Sequence, residues 1–357
     1  MAIHTERLQA IIDEKLKPVV KKVDEQAFYA EEYILALGEE GFFNSNAKSE
    51  ATILQDEATV VLETAKVCMT TAFCVWCHLA ALTYIRHSDN SYLKSNILPK
   101  LENGELLGAT GLSNPMKYYS GLEKLHLSAQ KVEGGYRING ILPAVSNLGN
   151  RHYFGAIAAI DNTEVMVLVS TQTEGLTLKE KVGFIGVNGS ATYTCKFDDV
   201  FIPEEQVLSE SAGAFCNQIR PTFIYYQVPL GAGVIAAAVE GIEKVKAKQN
   251  GCNEYLQVQA SKLRGNYDRI VDELAQQASD ITLKSIVETR LQTVYDTLEA
   301  VQTNMIHNGA AGYVAGSVAS RKLREAYFFA NLTPTVRHLE KIGDRAFSIS
   351  EALAQTK

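Results

Sequence analysis

The chain has 357 residues, with 34 Lys plus Arg against 41 Asp plus Glu, a net charge of −7. At ~150 residues per domain this is room for two to three domains with cores of their own, held without disulfides or metal. Hydrophobic residues at 46% and charged residues at 21% exclude global disorder, and an acidic chain with no basic run is a poor partner for nucleic acid or an anionic membrane.

The first zone, residues 1–105, reads as helical. Thr5 is placed to cap a helix carrying Leu8, Ile11, Ile12 and Leu16 at three- and four-residue spacing. The early charges leave no apolar h-region, so the segment does not read as a secretory signal, and a cytoplasmic protein is expected. A second helix over 31–37 should stop at Gly38 and Gly41, and residues 55–85 suit one or two buried helices. Pro99 and Gly104 then punctuate the chain. The stretches 67–85 and 221–239 lack charge, yet their Thr, His, Gln, Gly and Ala content falls short of the ~20 strongly apolar residues of a membrane span. Both are predicted to be buried helices.

The second zone, residues 106–210, changes rhythm. Short β-type runs at 125–131, 136–138, 156–160, 165–170 and 191–197 are separated by Gly, Asn and Asp, as in a sandwich or barrel. Asn139-Gly140 suits a hairpin turn, and Asp198-Asp199 reads as a strand end. The third zone, residues 211–357, returns to helix over 234–247, 255–279, 283–307 and 321–332, with Pro229 predicting a kink or a broken first turn. The expected architecture is therefore α, then β, then α.

Several chemistries are excluded. Neither a G-x-S-x-G elbow nor a phosphate loop is present. Cys74-Val75-Trp76-Cys77-His78 matches the C-x-x-C-H haem pattern, but it lies inside an apolar helical run and reads as buried thiols beside a core Trp. The six Cys read as buried free thiols rather than a disulfide framework. No Cys/His set has zinc spacing, so no metal is expected.

The middle of the chain resembles the acyl-CoA dehydrogenase family. Leu98-Pro99-Lys100-Leu101 with Gly104-Glu105 and Gly108-Ala109 is similar to "LPKLxxGExxGA". Ser113-Asn114-Pro115 stands where the family has Thr/Ser-Glu-Pro, and Gly134-Gly135-Tyr136-Arg137-Ile138-Asn139-Gly140 resembles "GGYxLNG". Val145-Ser146-Asn147 stands at Ile-Thr/Ser-Asn, and Phe197-Asp198-Asp199-Val200-Phe201-Ile202-Pro203 at "FDDVxVP". Gly309-Ala310-Ala311-Gly312-Tyr313, then Arg324-Glu325-Ala326, resembles "GGxGY…RDA".

The resemblance implies an α+β fold: an N-terminal all-α domain (1–105), a middle β-barrel or sandwich domain (106–210) and a C-terminal four-helix bundle (211–357). It implies a flavin, FAD with FMN as the alternative, contacted by Ser113, Ser146 and Asn147. It also implies a small-molecule substrate such as a CoA thioester, and a homodimer or homotetramer packed through the bundle. On the substrate side the polar candidates are Tyr225, Tyr226 and Gln227, while Arg220 has two readings, holding an anionic group or capping the domain junction. Two family features are missing. Thr333, in Leu332-Thr333-Pro334-Thr335, occupies the usual position of the catalytic Glu, and a Thr hydroxyl cannot serve as a carboxylate base near neutral pH. Lys248-Gln249-Asn250-Gly251-Cys252-Asn253 replaces the family's "RxxFG" loop.

Three readings follow: a flavin-dependent oxidoreductase sending hydride to the flavin, a reduced-flavin monooxygenase in which His78 faces the flavin, and a non-catalytic binding or assembly subunit. The alternative for His78 is a satisfied core histidine.

Overall fold

The computed structural model describes residues 5–343. Helix α1 (Thr5–Ile11) continues as a π turn through Leu16, then a 3₁₀ turn, into α2 (Val20–Glu25). Leu8, Ile11, Ile12 and Leu16 are buried as their spacing predicts, and Thr5 is the first residue of the helix. A second π turn spans Leu93–Ile97. Both π turns run up to a proline, Pro18 and Pro99, whose ring crowds the preceding turn and whose nitrogen donates no hydrogen bond.

Helix α3 (Glu31–Glu39) runs through Gly38, which the sequence reading had as a stop. Gly41, at φ 77, follows it. Gly38 instead allows close packing: a Cβ there would sit 2.4 Å from the Gly104 nitrogen. Helices α4 (Glu50–Val67) and α5 (Met69–His87) follow, α4 capped by the Ser49 hydroxyl accepting from Thr52 N–H.

One residue separates α4 from α5, so two helix ends meet inside the protein. Lys322 Nζ donates to Ala65 O at 2.7 Å and Arg321 to Val67 O at 3.1 Å, while Met69 N–H donates to Glu325 Oε1 at 3.2 Å. Cations thus meet the negative end of α4 and a carboxylate meets the positive end of α5. Helix α6 (Leu98–Glu102) closes the helical domain.

The β domain contains β1 (Leu107–Thr110), helix α7 (Ser113–Tyr119), then β2 (Leu127–Val132), β3 (Gly135–Val145), β4 (His152–Ile160), β5 (Thr163–Ser170), β6 (Leu176–Glu180), β7 (Tyr193–Pro203) and β8 (Val207–Ser209). They form an eight-stranded sheet in the order β6-β7-β3-β2-β4-β5-β8, with β1 parallel to β4. Ile138, Phe154, Val167, Phe197 and Val200 belong to a buried core distinct from that of the helices.

Two expectations need correction. Asn139-Gly140 is not a hairpin turn; Gly140 (φ 130) marks a bulge inside β3, and the turn is at Gly134 (φ 76). Asp198-Asp199 does not end a strand either. Strand β7 runs through it, with Asp199 at φ 55 donating its N–H to Asn139 Oδ1 at 2.8 Å. The two irregularities face each other, so one register shift absorbs both.

The last domain holds α8 (Ala212–Tyr225), α9 (Val228–Val245), the single turn α10 (Lys248–Gly251), α11 (Ala260–Gln277), α12 (Leu283–Asn308) and α13 (Val318–Asn331). Pro229 opens α9 and so breaks the run as expected. Helix α11 begins at Ala260, not at 255; Cys252–Tyr255 is a 3₁₀ turn. Helix α9 is central, packed on α4, α11, α12 and α13. The segment Ala212–Val245 is long and apolar enough to cross a membrane by length and composition alone, but its most apolar stretch is 94% buried inside the protein. Cys252 is exposed, against the expectation of six buried thiols; the other five are buried and all six are free.

Candidate active site

A cavity of about 140 Å³ lies between the β domain and the helices. Its β-domain wall is hydroxyl-rich. Strand β1 ends at Thr110, which bridges to Ser146, and α7 starts at Ser113. The Thr110 hydroxyl pairs with Tyr84 Oη at 2.6 Å, and Ser146 Oγ with Thr192 Oγ1 at 2.7 Å. Ala144 completes this wall.

The opposite wall is aromatic. Phe73, Trp76 and Cys77 lie one turn apart on one face of α5. Phe328 stands edge-on to Phe73 at 4.8 Å, Phe73 stacks on Trp76 at 5.6 Å and 18°, and Phe223 meets Trp76 edge-on at 4.8 Å. Trp76 Nε1 donates to Phe223 O at 3.1 Å, fixing the indole against α8. Asn331, Leu332 and Thr333 from the end of α13 form the rim. The cavity is bridged: Ser113 Oγ and Thr333 Oγ1 lie 3.1 Å apart, and Thr333 O accepts from Gln227 Nε2 at 2.9 Å.

The residues singled out in the sequence divide into two groups. Ser113, Ser146 and Thr333 line the cavity. Asn147 (φ 61) is fully buried behind it, accepting from Tyr29 Oη at 2.7 Å and donating to Gly108 O at 2.8 Å. His78 is fully buried against Phe43, outside the cavity lining. Gly108 N–H donates to His78 Nδ1 at 2.9 Å, so its proton sits on Nε2, and burial pushes its pKa down to about 3.

Arg220 sits one turn before Phe223 on α8, with Nε and one terminal nitrogen buried and unpartnered. Tyr225 donates to Leu274 O, and Tyr226 to Glu57, so both hydroxyls are used inside the helical core.

Among the described residues, no Asp, Glu or His lines the cavity. Cys77 is the lining group with a titratable proton, and burial pushes its thiol well above the ordinary range, leaving it a thiol rather than a nucleophilic thiolate. The sequence reading missed the aromatic wall. Phe73 and Trp76, at i and i+3 on a helix, were a visible pair; their alignment with Phe223 and Phe328 depends on separate helices.

A helical domain, a β domain and a helical bundle, with an aromatic-walled cavity between them, make up the architecture that the comparisons share. The model of the acyl-CoA dehydrogenase N-terminal domain matches residues 4–105. Benzylmalonyl-CoA dehydrogenase of Aromatoleum aromaticum is 24% identical over 233 residues, 63% of this chain and 62% of that protein. The chain thus aligns with less than two thirds of that relative's length. Among solved structures, butyryl-CoA dehydrogenase from Megasphaera elsdenii superposes with a TM-score of 0.86 at 17% identity, covering 96% of each chain. PigA with FAD and proline gives 0.84 at 17% identity, covering 97% of each. The chain thus has the acyl-CoA dehydrogenase fold, and its residues 4–105 match that family's N-terminal domain.

Proposed function

We propose that the chain is a flavin-dependent oxidoreductase acting on a small substrate, with FAD as the cofactor. The observation that carries this reading is the cavity itself, with hydroxyls on the β wall and a run of aromatic rings on the helical wall.

An isoalloxazine asks for apolar faces and for hydrogen-bond donors along its polar edge. The residues present fit it in chemistry. Ser113 and Ser146 offer hydroxyls, and Trp76, Phe73, Phe223 and Phe328 offer flat apolar contact. In size, the enclosed space is close to the ~150 Å³ that suffices for benzene, so it suits part of a ring system rather than a ring system plus a long acyl chain.

A bound flavin supplies acceptance of a hydride, or reaction of its reduced form with oxygen. The chain's own residues orient and exclude. Ser113 can exchange its hydrogen bond to Thr333 for one to the ligand, and the aromatic wall keeps water from the enclosed face.

Among the described residues no carboxylate lines the cavity, which favours a second reading, a reduced-flavin monooxygenase on the same scaffold. Removal of an α-proton from a thioester needs a base near the reacting carbon, and the Thr333 hydroxyl is not one. The third reading, a non-catalytic subunit, predicts no flavin binding. One set of measurements separates all three. A flavin spectrum bleached by a panel of acyl-CoAs supports dehydrogenation of thioesters. Oxygen uptake with reduced flavin, and no bleaching, supports the monooxygenase. Purified protein that takes up neither FAD nor FMN overturns both enzymatic readings.

Assembly as a homodimer or homotetramer through the bundle fits the exposed side chains at one end of α12 and the following loop, where Ile306, Tyr313 and Val314 are 62%, 85% and 61% exposed. Sedimentation tests it; a monomer at working concentration rejects it.

A further inference from the structure

Arg290, on α12, is fully buried, and among the described residues no carboxylate pairs with it. Burying a lone charge is costly unless other groups replace its water. Three groups do so. Gln227 Oε1 accepts from Arg290 Nε at 3.0 Å, Phe329 O accepts from a terminal nitrogen at 2.8 Å, and the Phe329 ring lies under the guanidinium with its centre 3.6 Å away. One terminal nitrogen, Nη1, is left without a partner.

Phe329 is in the last turn of α13, so its carbonyl is at the negative end of that helix. The helix end takes the place of a counter-ion. Space for the ring comes from Gly231 on α9, where a Cβ would lie 2.4 Å from Phe329 Cε1.

The same side chains reach the cavity. Gln227 accepts from Arg290 through Oε1 and donates through Nε2 to Thr333 O. Thr333 in turn meets Ser113 through its hydroxyl. A continuous line of hydrogen bonds therefore runs from α12, through Gln227, to the rim of the cavity and across to the β domain.

We infer that Arg290 is a positioning residue: acting through Gln227 and the end of α13, it fixes the Thr333 segment that forms the cavity rim. The role concerns the rim itself and holds whichever reaction the cavity serves. Burial pushes the Arg290 pKa down to about 9, which still leaves it cationic at neutral pH.

The test is hydrogen–deuterium exchange on the full chain, followed in peptides covering 329–339 and, as reference, 294–305 of α12. Gln227→Met keeps the volume and the charge of Arg290 but cuts the link to Thr333. Exchange in 329–339 should accelerate tenfold or more while the α12 reference changes by less than threefold. Arg290→Lys, which keeps the cation but not the forked geometry, should give an intermediate acceleration confined to the same peptides. Unchanged exchange at 329–339 in folded Gln227→Met overturns the inference. So does equal acceleration in both regions, which is what a merely structural pair produces. The readout needs no flavin and no activity, so its failure is distinct from failure of the proposed function.

Discussion

The hydroxyls of Ser113 and Thr333, 220 positions apart in the chain, lie 3.1 Å from each other across the cavity. One belongs to the helix after the first strand and the other to the short link between α13 and the helical residues 336–343. Their meeting closes the cleft between two domains, and any ligand entering there competes for the Ser113 hydroxyl.

Trp76 is the chain's single tryptophan and lies in the cavity wall. Its fluorescence therefore reports on this site alone. Titration with FAD should quench it with a saturating curve, and Trp76→Leu should weaken FAD binding while lowering stability by about 2–4 kcal/mol through loss of buried ring contacts. Saturable FAD binding, seen by absorbance, without any change in emission would place the flavin elsewhere.

Thr333→Glu puts a carboxylate on the rim at a position that is 8% exposed. If the position faces the α-carbon of a bound thioester, weak bleaching of the flavin by acyl-CoAs should appear or rise. An unchanged rate counts against that placement. Burial raises the pKa of the new acid, so the folded state holds its proton more tightly than the unfolded state does. Stability of this variant should then fall relative to the parent as pH rises through roughly 5 to 8, which a set of thermal melts measures.

His78 gives the opposite slope. Its folded pKa is held down near 3 by burial, against about 6.5 in the unfolded chain. The unfolded state therefore binds the extra proton first, and stability is lost as pH falls below the unfolded value. The loss should reach about 2 kcal/mol at pH 5. Urea denaturation of the parent at pH 7 and at pH 5, compared with His78→Gln, checks it: the variant should lack this part of the pH dependence.

Glu325 joins the end of α4 to the start of α5. It accepts from Met69 N–H and lies 2.9 Å from the fully buried Lys322. Glu325→Gln leaves that ammonium without its charge partner, and the cost should be about 3–5 kcal/mol, read as a lower urea midpoint. A change under ~1 kcal/mol would show that the carbonyl of Ala65 alone satisfies Lys322.

The zone order was legible in the sequence because it rests on local periodicity. The buried stripe of α1, the uncharged run of α5 and the short spaced strands each follow from which side chains must leave water. Ser113, Ser146 and Thr333 were reached through their resemblance to acyl-CoA dehydrogenase motifs rather than through periodicity. What local pattern could not give is the direction of close contacts. Gly38 and Gly140 look like stops and turns in one dimension, yet one is a helix-to-loop contact and the other a bulge matched by Asp199 on a neighbouring strand.

The sequence alone determined that this chain would fold as helix, sheet and helix, and that no carboxylate stands at position 333. Only the tertiary structure decided that four rings from three helices form one wall, that Tyr225 and Tyr226 turn inward, and that Arg290 is balanced by the end of α13 rather than by an acid. The physical reason is that periodicity fixes which face of an element is buried, whereas the partner across that face depends on how distant elements pack.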